Sequence, residues 1–303
     1  MRLIFFGTAD FAVDSLDALH QAGHTMLAVV TAPDKPAGRG LQLKGSPVKE
    51  AALRLGLPLL QPDKLKNEEF LAEVKALNAD LGVVVAFRML PEVLWAMPRL
   101  GTINLHGSLL PQYRGAAPIH WAVINGETET GVTTFFLKQA IDTGDIIYQD
   151  VEPIFTDDTT GDVYDRLRKR GAALLARTVG EIEKDTATKQ PQIMSEGTRH
   201  APKITTENSQ IPWNQPREQV RNFIRGMAPF PVAWGQLQGR HCRFFKATIP
   251  GEEPNALEAP GHAHISKNAI YMACADGWLQ IDELQLDGKK RMTGGEVARG
   301  WRG

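Results

Sequence analysis

The chain has 303 residues, which is room for about two domains, and its 43% hydrophobic and 23% charged residues are the proportions of an ordinary globular protein. These proportions exclude intrinsic disorder, collagen and a coiled coil as the overall class. The formal net charge of −1 provides no bulk positive field, which disfavours a protein that wraps nucleic acid or lies on an anionic membrane.

Cysteine usage and the absence of long apolar runs indicate a cytoplasmic protein. Cys242 and Cys274 form neither a disulfide framework nor a CxxC pair, so we expect two small core side chains in a reducing compartment. The first apolar run, residues 3–6, stops at Gly7 and is too short for the hydrophobic part of a secretory signal. No apolar run approaches the roughly 20 residues of a membrane span, so no membrane association is expected.

Strand and helix patterns alternate over the first two-thirds of the chain. Short apolar runs predict strands, and apolar residues at helical spacing predict the helices between them. The predicted strands are residues 3–6, 26–30, 81–87, 102–105 and 132–137. The predicted helices follow Gly7 and cover 48–55, 70–77, 119–124 and, as a long amphipathic helix, 161–184. This alternation predicts an α/β fold with a Rossmann-like, doubly wound, mostly parallel sheet.

The character of the sequence changes after the long helix. A polar, proline-containing stretch predicts a linker, and a further helix is predicted at 216–227. Short strands broken by Gly and Pro then predict a small C-terminal β-barrel of the OB type, at 232–237, 243–247, 269–273 and 278–286. The predicted domains are a catalytic domain at 1–185, a linker at 186–207 and a C-terminal domain at 208–303.

The turn Gly7-Thr8-Ala9-Asp10-Phe11 follows the first strand, where a dinucleotide-binding fingerprint would begin. It lacks the later glycines that let a backbone approach a pyrophosphate. The sequence therefore predicts Rossmann-like topology without a nicotinamide cofactor.

Asn104 and His106 are two residues apart at the end of a predicted strand, so their side chains point to the same face. Ligands of open α/β sheets bind outside the carboxyl ends of the strands, where a carboxamide and an imidazole can stabilise an oxyanion. Asp142 lies in the turn Asp142-Thr143-Gly144-Asp145, where it either caps its own backbone or, beside His106, orients the imidazole; the spacing leaves both open. No cluster has the spacing of metal ligands, so no metal is expected.

The run Asn104-x-His106-x-Ser108-Leu109-Leu110-Pro111-x-x-Arg114-Gly115-Ala116-Ala117-Pro118, with Asp142-Thr143-Gly144-Asp145 further on, resembles the folate-dependent formyltransferases. Members of that family transfer a formyl group from 10-formyltetrahydrofolate to an amine. The resemblance implies that Asn104, His106 and Asp142 are catalytic. It also implies that 10-formyltetrahydrofolate is a co-substrate and that no cofactor is tightly bound.

The same resemblance implies a folate pocket. Its predicted residues are Phe87, Arg88, Met89, Leu90, Ser108, Leu109, Leu110, Pro111 and Ile141. The family usually has a Tyr-Gly pair after the strand at 81–87, and this chain has Phe87-Arg88 instead, which alters the local contacts of the pocket.

Further runs resemble the branch of this family that formylates initiator methionyl-tRNA. They are Phe6-Gly7-Thr8, the stretches 32–40 and 46–49, Pro229-Phe230-Pro231 with Trp234, and 286–292. The resemblance implies that a loop at 33–47 engages the tRNA acceptor end through Lys35, Arg39 and Lys44, whose charges suit phosphate contact. Gly and Pro without apolar periodicity predict that this loop is mobile and exposed. The expected product is N-formylmethionyl-tRNA for translation initiation, and the enzyme is expected to be a monomer.

Other functions stay open. A folate-dependent formyltransferase can act on an amino-sugar nucleotide or another small amine, such as glycinamide ribonucleotide. A hydrolase that removes formyl from folate would use the same three residues, with water in place of the amine. A catalytically silent tRNA- or nucleotide-binding module is the alternative from another class. The basic loop and the extra C-terminal domain favour the tRNA enzyme, and the intact Asn104, His106 and Asp142 set disfavours the silent module.

Overall fold

The computed structural model describes residues 1–37, 42–254 and 256–301. The chain divides into two compact units, each built from three stretches of sequence. The first unit comprises Met1–Arg114, Gly131–Glu152 and Tyr164–Arg199, and the second comprises Gly115–Thr130, Pro153–Val163 and His200–Gly303. The domain boundaries at 185 and 208 stay a prediction.

The secondary-structure elements are numbered in chain order. The strands are β1 (Arg2–Gly7), β2 (Thr25–Val30), β3 (Lys35–Ala37), β4 (Gln42–Lys44), β5 (Leu59–Leu60), β6 (Leu81–Val85), β7 (Thr102–His106), β8 (Arg114–Gly115), β9 (Glu129–Phe136), β10 (Ile146–Pro153), β11 (His200–Ala201), β12 (Ala233–Leu237), β13 (Arg240–Thr248), β14 (Ala263–Ile265), β15 (Ile270–Ala273), β16 (Trp278–Leu286) and β17 (Met292–Thr293). The helices are α1 (Phe11–Gln21), α2 (Pro47–Arg54), α3 (Glu68–Ala76), α4 (Glu92–Trp95), α5 (Pro118–Ile124), α6 (Thr160–Glu183), α7 (Arg217–Met227) and α8 (Gly294–Gly300), with a 3₁₀ turn at Glu207–Ser209.

The main sheet has, within the described residues, seven strands in the order β10-β9-β7-β6-β1-β2-β5. The pairs from β7 to β5 are parallel, and β9 runs antiparallel to β7. In β1 the residues after Arg2 are all buried, as expected for a parallel strand covered on both faces. The prediction of an α/β fold with a Rossmann-like, mostly parallel sheet is confirmed.

Helices α2 and α3 of the first unit begin where their sequence provides caps. Ser46 and Asn67 accept hydrogen bonds from the third residue of α2 and α3, which satisfies free N–H groups at the first turn. Gly56 follows α2 with a φ of +65°, the left-handed conformation that glycine adopts readily after a helix. The long helix α6 buries Leu167, Leu175 and Val179 completely, on the apolar stripe that its sequence predicts.

The second unit is built on an antiparallel sheet in the order β12-β13-β16-β15-β14, with β17 paired to β16. Its core includes Phe244, Met272 and Leu279, and α7 contributes the fully buried Val220 and Ile224. The predicted small C-terminal barrel is confirmed as an antiparallel half-barrel.

Several elements differ from the pattern-based prediction, and the physical cause is clear for three of them. Strand β6 ends at Val85 because Ala86 takes a φ of +46°, which a strand cannot contain. The loop at 33–47 contains the paired strands β3 and β4, whose described apolar side chains, Pro36 and Leu43, are exposed, so no periodic apolar signal marks these strands. Strand β10 was not predicted because Glu152 stands at a core position, where Arg166 and Arg170 hold it at 2.6 and 2.7 Å.

None of the helices formed by the described residues combines the length and apolar character needed to cross a membrane.

Cys242 and Cys274 are free thiols buried in the second unit, which confirms the expectation of two small core side chains. Burial raises the pKa of Cys242 to about 11 and that of Cys274 to about 12. Because the thiolate is the reactive form, these values leave about one thiol in a thousand or fewer ionised at pH 8.

We therefore expect neither cysteine of the native protein to be alkylated by iodoacetamide at pH 8, as measured by mass spectrometry of the intact chain. The urea-unfolded protein is the control and should take up one label at each cysteine. Rapid labelling of the native chain would show that the thiols are accessible and would contradict their burial in the core.

Candidate active site

The carboxyl end of β7 carries Asn104 and His106 on one face. This strand pairs with β6 on one side and with β9 on the other, so Asn104 lies between Val84 and Phe135. Alternation along the strand directs the Asn104 and His106 side chains to the same side of the sheet. Asn104 is half-buried and His106 is 7% exposed, so both polar side chains lie in a partly desolvated setting.

Each ring nitrogen of His106 has a defined polar neighbour. Its Nε2 donates a hydrogen bond of 2.9 Å to the backbone carbonyl of Tyr113. Since a carbonyl oxygen only accepts, Nε2 must carry a hydrogen. Nδ1 lies 3.9 Å from Oδ2 of Asp142, which is ion-pair distance and longer than a hydrogen bond. The carboxylate of Asp142 therefore lies beside the imidazole, as the second of its two possible roles requires.

The Asp142 turn has a backbone that few sequences accept. Asp142 itself has a φ of +53°, a left-handed conformation that Asp tolerates better than most residues. At Gly144 an added Cβ would lie 1.5 Å from the carbonyl oxygen of Phe136, so only glycine fits. Phe136 N–H also donates to the Asp145 carbonyl at 3.0 Å, which closes the base of the turn.

Gln192 contacts the same turn from a distant part of the chain. Its amide donates to the backbone carbonyls of Asp142 and Gly144 at 2.9 and 2.8 Å, and its own carbonyl accepts from Arg114. Sequence reasoning missed this residue because it lies in the stretch predicted as a linker and no local pattern marks it. The described residues contain no cluster of three or more His, Cys, Asp or Glu that could hold a metal ion.

The turn 108–111 is braced by its own hydrogen bonds. The Ser108 hydroxyl donates to the Gln112 carbonyl at 2.6 Å. Thr133 Oγ1 donates to the Ser108 carbonyl at 2.6 Å and accepts from Leu110 N–H at 3.1 Å. Gln149 adds a 2.9 Å hydrogen bond to the Leu110 carbonyl. Ser108 and Leu110 are buried while Leu109 and Pro111 are half-buried, so this turn presents a fixed wall.

The residues 87–90 leave the sheet at the same edge, because β6 and β7 are parallel neighbours. Phe87 is half-buried with its ring centroid 5.9 Å from that of Phe6, and Leu90 is buried in the core. Arg88 folds back, and its guanidinium donates to the carbonyls of Pro62 and Asp63 at 2.5 and 3.0 Å. Met89 is 75% exposed.

Ile141 precedes Asp142 directly and is 63% exposed. Ile141 and Met89 are the two apolar side chains among the predicted folate residues that are largely exposed to solvent. Leu90, Ser108 and Leu110, by contrast, are buried and support the backbone of their turns.

The basic ribbon β3–β4 places two predicted tRNA contacts opposite each other. Lys35 and Lys44 are Cα partners in the antiparallel pair, and both side chains are exposed. Like charges that face each other across a ribbon are destabilising, which favours a bound anion there. Arg39, the third predicted contact, lies outside the described residues.

Lys49, at the base of the ribbon, is engaged differently. Its ammonium lies 2.6 Å from Asp34, which also accepts from Gln61 at 2.9 Å. These hydrogen bonds, that of Gln61 first, hold the pKa of Asp34 below its usual value. Lys49 therefore stabilises the fold of the ribbon base.

Comparison with known proteins gives a consistent result along the whole chain. Residues 1–179 match the family model described as formyl transferase, and residues 203–302 match the model of the formyl transferase C-terminal domain. A curated methionyl-tRNA formyltransferase of Bacteroides fragilis is 47% identical over 313 residues, covering 99% of this chain and 95% of the relative. That of Parabacteroides distasonis is 50% identical over 302 residues, covering 97% and 93%.

A solved structure with a similar fold is the N-formyltransferase of Helicobacter canadensis in complex with folinic acid and dTDP-3-aminofucose. It superposes with a TM-score of 0.66, covers 96% of this chain and 99% of its own, and is 18% identical. At that identity the likeness concerns the fold. The two family models and the full-length relatives carry the assignment: the chain belongs to the formyl transferase family, in the group of the methionyl-tRNA formyltransferases.

Proposed function

We propose that the protein transfers the formyl group of 10-formyltetrahydrofolate to the α-amino group of initiator methionyl-tRNA, giving N-formylmethionyl-tRNA for translation initiation. The choice of amine is supported by curated relatives that carry this activity in their names at 47% and 50% identity over nearly the full chain. The observation that carries the chemistry is the His106 imidazole, fixed by the Tyr113 carbonyl and facing the Asp142 carboxylate.

The reaction is an acyl transfer without a covalent enzyme intermediate. The unprotonated α-amine attacks the formyl carbon, and the carbonyl electron pair moves to oxygen to give a tetrahedral oxyanion. Collapse re-forms the carbonyl and breaks the bond to the folate nitrogen, which takes a proton while the new amide nitrogen loses one. The protein's task is to stabilise the oxyanion and to move that proton.

Asn104 and His106 are the proposed oxyanion donors. The Asn104 amide supplies one N–H, and one such donor typically contributes about 3 to 4 kcal/mol of transition-state stabilisation. Because Nε2–H of His106 is already bonded to Tyr113, the ring must donate through Nδ1–H. That form of the ring is the imidazolium, and the Asp142 carboxylate 3.9 Å away balances its charge. Asp142 is also the proposed acceptor of the proton that the amine loses.

The proposed folate pocket lies at the edge where β6 and β7 end. Leu109, Pro111 and Phe87 provide half-buried walls, while Met89 and Ile141 provide exposed apolar side chains for the ring system. The buried Leu90, Ser108 and Leu110 fix the backbone groups that would hydrogen-bond a pterin. Arg88 holds the segment against the carbonyls of Pro62 and Asp63. The folinic acid bound by the similar fold from Helicobacter canadensis supports this co-substrate class.

The tRNA is proposed to bind to the basic ribbon β3–β4. Lys35 and Lys44 project from adjacent positions of β3 and β4, and a phosphate between them relieves their mutual repulsion. Arg39 is the third proposed contact, from the resemblance of the loop. The working compartment proposed for this reaction is the cytoplasm.

One prediction of the proposed function concerns the catalytic set. The wild-type protein should formylate initiator Met-tRNA with 10-formyltetrahydrofolate, and elongator Met-tRNA far more slowly. His106→Ala, Asn104→Ala and Asp142→Asn should each lower kcat by about 10²- to 10³-fold, because each removes an oxyanion donor or its counter-charge. Quench-flow or filter assays with labelled Met-tRNA measure these rates.

Asp145→Asn is the matched control, since this aspartate of the same turn pairs with Lys138 at 2.7 Å. It should keep the wild-type rate. Wild-type kcat in His106→Ala or Asp142→Asn would reject the assigned roles. Turnover with an amino-sugar nucleotide, or loss of formyl from folate without any amine, would replace the tRNA function by one of its alternatives.

A separate prediction concerns the basic ribbon. Lys35→Ala with Lys44→Ala should raise the KM for Met-tRNA while leaving kcat unchanged, because phosphate contacts contribute to binding alone. The slope of log affinity against log salt should fall by about 0.7 to 0.9 for each lost contact. Arg39→Ala tests the third residue in the same way.

Lys75→Ala, an exposed lysine in the last turn of α3, is the charge-matched control and should leave both the KM and the salt slope unchanged. An unaltered salt slope in the ribbon variants would exclude the ribbon from tRNA binding.

A further inference from the structure

Gln192 holds both ends of the turn that carries Asp142. Its Nε2 donates one hydrogen bond of 2.9 Å to the carbonyl of Asp142 and another of 2.8 Å to the carbonyl of Gly144. A primary amide has two N–H groups, and both are used on this turn. One side chain from a remote segment therefore fixes the backbone on each side of Thr143.

Arg114 dictates which way the Gln192 amide points. Its Nε and Nη2 donate to Gln192 Oε1 at 3.1 and 2.6 Å. A guanidinium only donates, so the amide oxygen must face Arg114 and the NH₂ group must face the two carbonyls. The orientation follows from chemistry, and a reversed amide would lose these hydrogen bonds.

The segment that carries Gln192 is itself docked on the first unit. Gln190 and Ile146 exchange two backbone hydrogen bonds of 2.8 Å, next to the Asp142 turn. Lys189 Nζ lies 4.2 Å from the centroid of the Phe136 ring. Residues 189–192 therefore lie against the segments that begin and end the turn, and Gln192 acts from a fixed base.

The same contacts reach both partners of His106. Arg114 follows Tyr113 directly, and the Tyr113 carbonyl accepts the hydrogen bond from His106 Nε2. Gln192 joins Arg114 to the backbone of Asp142, whose carboxylate faces His106 Nδ1. The positions of the imidazole's two neighbours are thus linked through one amide.

We propose that Gln192, oriented by Arg114, is a positioning residue that sets the Asp142 carboxylate against His106 for formyl transfer. The inference rests on the proposed function, because it takes Asp142 to act in that reaction. The turn needs such support, since Asp142 has a left-handed backbone and Ile141 beside it is exposed. A shift of about 1 Å in a catalytic group can cost about a hundredfold in rate.

The test of this proposal replaces Gln192 in the full-length enzyme and measures formylation of Met-tRNA. Gln192→Ala should lower kcat about 10- to 100-fold while the KM for Met-tRNA changes by less than about twofold. Gln192→Glu keeps the length and the contact with Arg114 but replaces two donors by an acceptor facing two carbonyls. It should lose as much kcat, and it provides the test if the alanine variant is unstable.

A double-mutant cycle separates positioning of Asp142 from a general structural role. In the Asp142→Asn background, Gln192→Ala should cost less than about threefold more, because the carboxylate that it positions is already gone. Gln190→Ala is the matched control, since the exposed Gln190 contacts Ile146 through its backbone, and it should have the wild-type rate.

Any other outcome contradicts the proposal. Wild-type kcat in both Gln192 variants, an effect confined to KM, or fully additive losses in the cycle would reject a positioning role while leaving the proposed function intact. A wild-type protein that does not formylate Met-tRNA would overturn the proposed function and this inference together.

Discussion

The hydrogen bond from His106 Nε2 to the Tyr113 carbonyl is the constraint on which the site depends. It commits one ring nitrogen to the backbone and leaves Nδ1 toward Asp142. Tyr113 has a φ of +59° and directly follows a turn that Thr133 and Gln149 brace. The orientation of one imidazole therefore depends on β9 and β10 as much as on β7, which carries it.

The sheet supplies the second constraint. Because β6 and β7 are parallel neighbours, residues 87–90 and 108–111 leave the sheet at a common edge. The antiparallel β9 then leads into the Asp142 turn, which returns to the face on which His106 lies. Apolar packing of the strands fixes these directions, and polar side chains from distant segments lock the turns that follow. In the proposed function, the apolar strands therefore provide stability, while the turns that follow them carry the residues for the chemistry.

Most of the architecture was predictable, and the failures have physical causes. Buried parallel strands leave continuous apolar runs and the amphipathic α6 leaves a periodic apolar stripe, so their positions agree closely with the prediction. Strand β10 was not predicted because the buried Glu152 interrupts its apolar pattern. The two arginines that pair with Glu152 lie elsewhere in the sequence. The β3–β4 ribbon was not predicted because the apolar side chains that the structure describes in it are exposed. Ion pairs and exposed ribbons do not produce the period on which such prediction relies.

The sequence by itself determined the fold class, the two buried thiols and the motif residues Asn104, His106 and Asp142. Those features follow from local periodicity or from residue types at short spacing. The tertiary structure decided that Asp142 lies beside His106, which ring nitrogen faces it, and that Gln192 and Arg114 hold the turn. The contacts among His106, Asp142, Gln192 and Arg114 join residues about 40 to 80 positions apart in the sequence. The Tyr113 carbonyl is near His106 in sequence, but only the folded turn brings it to the ring. No pattern within a single helix or strand encodes them, because hydrogen-bond geometry exists only once the chain has folded.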